Sequence, residues 1–104
     1  MASKYGINED VVDSYRRTIV FNNSLLKRDY EERYLFRVDE EVKKMRAGIG
    51  RSKPVSEEES QKYVNRQNQL FKRRRTAYFK RLDDGVEPAV NAYVRGIKQA
   101  LGLS

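Results

Sequence analysis

The chain contains neither cysteine nor histidine. Disulfide frameworks, Cys/His zinc centres, iron–sulfur clusters and His-ligated haem are thereby excluded, as are cysteine nucleophiles and imidazole acid–base chemistry. Tryptophan is also absent, and proline occurs only twice, at Pro54 and Pro88. Hydrophobic residues make up 38% of the 104 residues and charged residues 36%, against about 45–50% and about 25% in an ordinary soluble domain. The supply of core-filling side chains is therefore thin, resting on seven Tyr, four Phe and a modest set of Leu, Val and Ile. Long apolar runs are missing too. The longest, Ile19-Val20-Phe21, is far short of the roughly 20 residues that a membrane span needs. No basic segment followed by an apolar one opens the chain, and Glu9, Asp10 and Asp13 argue against an organellar transit peptide. The expectation is a soluble, intracellular protein, in the cytoplasm or an organelle interior, forming one domain over residues 1–104.

What is present reads as helix throughout, with no alternating stretch that suggests a strand. The spacing predicts an all-α fold, a small antiparallel bundle or extended hairpin of three to four helices over about 8–21, 25–46, 56–82 and 87–101, with a loop at 47–55. Asn8 is the first N-cap, Glu9 and Asp10 suit the positive end of the helix dipole, and Ile7 with Val12 makes a hydrophobic staple. Asn22-Asn23-Ser24 is the natural break, with Ser24 capping the next helix. The alternative is one bent rod through the Asn pair. Leu26, Tyr30, Tyr34, Val38, Val42 and Met45 recur at helical spacing as a single apolar seam. Gly48, Gly50 and Pro54 end it, and Ser56-Glu57-Glu58-Glu59 is a capping box, the serine bonding forward and Glu59 reaching back. Inward positions of the third helix are Tyr63, Val64, Leu70, Phe71, Ala77, Tyr78 and Leu82. Asp83-Asp84-Gly85 closes it. The last helix starts near Val86 to Pro88 and carries the cleanest apolar face, through Val90, Tyr93, Val94, Ile97 and Leu101, with Gly102 beyond its end.

The net charge of +7 is uneven. Residues 1–46 carry ten basic and nine acidic side chains, residues 47–82 ten and three, and residues 83–104 two and three. Between Gln61 and Leu82 there are eight cations and no acid. On a helix, Lys62, Arg66, Arg73 and Lys80 fall within about 40° of one another, a stripe roughly 27 Å long, with Lys72 beside it. Arg74, Arg75 and Arg81 lie nearer the apolar face, where they are expected to reach carboxylates of the second helix such as Asp29, Glu32 or Asp39. The outer stripe has no obvious internal counterpart. Leaving it bare costs self-repulsion, which an anionic partner surface would relieve.

No constellation supports catalysis, a metal or a cofactor. Gly48-Ile49-Gly50 lacks phosphate-loop spacing, and Asp83-Asp84 and Glu57–Glu59 are cap residues by position. The expectation is a non-catalytic, basic helical adaptor or accessory subunit with no small-molecule substrate. It would dock on a larger protein assembly with an acidic surface through Lys62, Arg66, Lys72, Arg73 and Lys80. Phe36 and Phe79 lie off their helices' main stripes and would act as exposed anchors, as Phe21, Leu25 and Leu35 also do. The alternative is a nucleic-acid-binding protein using the same helix, in which Lys72-Arg73-Arg74-Arg75 interleaves with Tyr78-Phe79. Peripheral membrane contact ranks third, because the face opposite the cations is needed for packing.

Overall fold

The structure, a computed structural model, describes residues 7–102. It is all-α: α1 spans Glu9–Ala47, α2 Glu57–Asp84 and α3 Val86–Ala100, with no strand among the described residues. The expected break at Asn22-Asn23-Ser24 is not there, and the first two expected helices are one element of 39 residues. The continuity is that of the bent-rod alternative, one helix running through the Asn pair. Asn and Ser cost a helix only about 0.7 kcal/mol or less apiece relative to Ala. Here both are also satisfied. Asn23 donates its amide to the Leu82 carbonyl at 2.9 Å, and the Ser24 hydroxyl donates back to the Phe21 carbonyl at 2.6 Å.

The helix ends follow local chemistry. The Asn8 side chain accepts from the Asp10 amide at 2.8 Å, and its carbonyl accepts from Val11 and Val12. The end of α1 is a Schellman motif. Ile49 donates to the Lys44 carbonyl at 3.0 Å and Gly48 to that of Met45 at 3.2 Å. Gly48 takes the left-handed φ of 74° that this motif needs. The chain then folds back so closely that a Cβ at Gly48 would lie 3.0 Å from the Pro54 nitrogen. Ser56 caps α2 by accepting from the Glu59 amide at 3.2 Å. The return bond expected from the Glu59 carboxylate is not made, so only half of the capping box forms. Gly85 alone separates α2 from α3.

The chain divides into two compact units. One runs from Lys27 to Tyr78; we call it the hairpin unit, since the second half of α1 and most of α2 face each other across the 48–56 connection. It encloses Tyr34, Val38, Met45 and the small Ser60, whose hydroxyl is satisfied by its own helix through the Glu57 carbonyl. The other, terminal unit contains the described residues up to Leu26 and those from Phe79 on. Val86 and Val90 are buried there. Tyr15 stacks on Tyr93 with centroids 3.9 Å apart. Arg16 forks onto Glu87 at 2.9 and 3.1 Å while also reaching Asp13 at 2.9 Å. Leu26, Leu70 and Leu101, expected inward, are exposed. Each unit packs around a few residues, and the flanks of the apolar seams stay wet.

Two predictions follow from these contacts. Gly48→Ala should lose about 2 kcal/mol in chemical denaturation, since an αL alanine costs about 1–2 kcal/mol before any clash. Gly50→Ala, with φ 75° but open space around it, should lose less, and equal losses would rule out the Pro54 contact as a cause. The Arg16 hydrogen bond holds the Glu87 carboxyl below the usual glutamate range. Its stabilising effect is complete above that range and disappears as the pH falls through the depressed value. The melting temperature of Glu87→Gln should therefore drop less steeply on acidification than that of the unaltered protein.

Candidate functional site

The hairpin unit carries fifteen basic and nine acidic side chains, so +6 of the chain's +7 resides between Lys27 and Tyr78. Aromatic rings hold its helices together. Tyr34 lies on Phe71 with centroids 3.8 Å apart and planes 10° off parallel. Tyr30 meets Phe71 at 5.5 Å and Tyr78 at 4.7 Å. The Tyr34 hydroxyl donates to the Asn68 side-chain carbonyl, so the polar tip of a ring only 6% exposed is satisfied. Burial pushes the Tyr34 phenol above its usual pKa.

Around this spine, among the described residues, most acids of α1 are paired, Glu31 excepted. Asp29 binds Arg33 at 2.8 Å, Glu32 binds Arg28 at 3.0 Å and Asp39 binds Lys43 at 3.0 Å, each one helical turn away. Glu57 takes Arg46 at 2.7 Å, and Glu41 reaches Arg51 at 3.9 Å. The expectation that Arg74, Arg75 and Arg81 pair with α1 carboxylates is accordingly overturned. Arg75 is half-buried over the Phe71 ring, 5.4 Å from its centroid. Among the described residues, Arg74 and Arg81 make no ion pair.

The outer stripe is shorter than the sequence suggests. Lys62 lies 3.8 Å from Glu58, and Lys80, in the terminal unit, bonds Asp84 at 2.7 Å. In both cases an acid one turn away on α2 supplies the partner. Arg66, Lys72 and Arg73 remain exposed and without an ion pair among the described residues. Phe36 is 67% exposed and the neighbouring Leu35 63%. Phe79 is half-buried in the terminal unit, not an exposed anchor, and it has interactions of its own.

Two clefts flank the spine. One, of about 300 Å³, is lined by Arg33, Arg37 and Arg74 with Gln67, Leu70 and the rings of Tyr30, Tyr34 and Phe71. No carboxylate lines it. The Arg37 guanidinium sits over the Tyr34 ring, 5.8 Å from its centroid. The second, of about 230 Å³, places Leu35 beside Lys72 and Arg75, together with Glu31. Sequence reasoning missed Arg33 and Arg37, because the near-neutral balance of residues 1–46 hides them. Their one signal is the four-residue spacing that they share with Tyr30 and Tyr34. Among the described residues no group of His, Cys, Asp or Glu is arranged to hold a metal ion. Nor, among the described residues, is any helix long and apolar enough to cross a membrane.

Because the ring stack joins the two helices, Tyr34→Ala should cost about 3–5 kcal/mol in chemical denaturation. Tyr34→Phe, which keeps the stack and loses one hydrogen bond, should cost about 1 kcal/mol. Similar losses from both would shift the weight from stacking to the hydroxyl. Compared with known proteins, the chain matches no family model, no curated protein and no solved structure.

Proposed function

We propose that this protein is a non-catalytic docking subunit that binds an acidic surface of a larger protein assembly inside the cell, using the cationic face of its hairpin unit. The observation that carries this reading is the division of labour among its apolar groups. Tyr30, Tyr34, Phe71 and Tyr78 spend their ring faces on one another. Leu35 and Phe36 are left to solvent. The rings between α1 and the cationic helix are thus engaged with one another and not offered to bases, whereas exposed Leu35, which shares a cleft with Lys72, and its exposed neighbour Phe36 suit a protein interface with apolar anchors and electrostatic steering.

Arg66 and Arg73, two helical turns apart, have the central role, and Lys72 extends the charge toward Leu35. Lys62 and Lys80 contribute less, because each already has a carboxylate within reach. Nucleic-acid binding is the second reading. Four neighbouring cations without an ion pair, at Arg66, Lys72, Arg73 and Arg74, favour it.

Affinity purification of the full chain, with and without nuclease, separates the two. The expected result is a protein partner that survives nuclease and moderate salt, and that is lost on changing Arg66 and Arg73 together to Glu at unchanged helicity. Phe36→Ser should weaken the same complex without altering its salt dependence. A partner released by nuclease, with log affinity falling steeply against log salt for unrelated polyanions, would replace this reading with the second.

A further inference from the structure

We propose that the arginine-lined cleft of the hairpin unit binds a dianionic phosphate monoester, presented as a phosphorylated side chain of the docking partner. This rests on the reading that the unit docks on a protein, and it names the group that seats there. Arg33 and Arg37 enter the cleft one turn apart from α1, and Arg74 enters from α2. Asp29 offsets one of the three charges through its 2.8 Å bond to Arg33. Two positive charges are left over.

A phosphate monoester carries about −1.5 to −2 at pH 7 and matches that excess. A carboxylate or an internal phosphodiester supplies only one negative charge. The donors suit the geometry of a tetrahedral oxyanion as well, since a guanidinium fork grips two oxygens at once and an ammonium does not. Arg37 is partly positioned in advance by the Tyr34 ring beneath it, and that ring is itself fixed on Phe71. Gln67 adds an uncharged amide donor to the lining. The opposite cleft has the wrong chemistry for the same ligand, because Glu31 lines it alongside Lys72 and Arg75.

The test titrates the full chain with three short synthetic peptides that differ at one position, phosphoserine, serine or glutamate, at constant ionic strength. Arginine side-chain NMR signals report the contact. The phosphopeptide should give saturable shifts at Arg33, Arg37 and Arg74, with affinity roughly tenfold or more above that of the glutamate peptide. Arg37→Ala with Arg74→Ala should abolish the shifts, Arg74→Lys should weaken them, and Lys44→Ala with Lys53→Ala, an equal loss of charge at exposed positions outside the cleft, should leave them in place.

Equal binding of the phosphoserine and glutamate peptides overturns the site. So does binding that survives loss of Arg37 and Arg74, or an RNA oligomer that displaces the phosphopeptide from these arginines at equal phosphate concentration. The two readings fail separately. A partner that phosphatase treatment leaves bound, but that Arg66→Glu with Arg73→Glu releases, overturns the cleft alone. A partner lost to nuclease overturns the docking surface.

Discussion

With so few apolar residues available, the two long helices of the hairpin unit are joined by rings, Tyr34 lying flat on Phe71 with Tyr30 and Tyr78 continuing the stack. Each such ring removes about 150–250 Å² from water, so four of them supply much of the apolar burial that Val38 and Met45 alone do not. The hydroxyl of Tyr34 would be a liability at that depth, and Asn68 satisfies it. The same stack sets the register of α1 against α2. That register brings Arg33 and Arg37 of one helix to the same cleft as Arg74 of the other.

The distribution of free charge is a consequence of helical spacing. Acids and bases four apart on one helix find each other at no cost in chain closure, and α1 is rich in such pairs. In the hairpin unit Asp29, Glu32 and Asp39 are paired within α1 itself and so do not neutralise α2. In α2 the run from Gln61 to Leu82 holds no acid, so only the cations at its ends, Lys62 and Lys80, reach Glu58 and Asp84. The middle of the run stays unneutralised. Exposed pairs contribute only about 0–1 kcal/mol each, which makes their arrangement more informative about where a partner would sit than about stability.

The terminal unit follows a different economy. Val86 and Val90 are its buried aliphatics, a second ring pair at Tyr15 and Tyr93 widens the contact, and Arg16 and Glu87 seal its edge. Asn23 carries the amide that a sequence pattern treats as a helix stop. Its partner, the Leu82 carbonyl, lies among the last residues of α2, where backbone acceptors lack helical donors. A residue that looks like punctuation locally is used as a tertiary hydrogen bond.

The sequence by itself determined the helical class, the Asn8 and Ser56 caps, the Gly48 terminus and the placement of excess charge on α2, because each depends on residues within a turn or two of one another. It also identified the seam from Tyr30 through Met45, which needs only the 3.6-residue period. Tertiary structure alone decided that α1 runs unbroken through Asn22 and Asn23, that Phe79 is half-buried while Phe36 is exposed, and that Arg74 joins Arg33 and Arg37 instead of pairing with an acid. Those outcomes depend on which groups meet across distances of dozens of residues. Helical periodicity gives the direction in which a side chain leaves its own helix, and only packing gives what it meets.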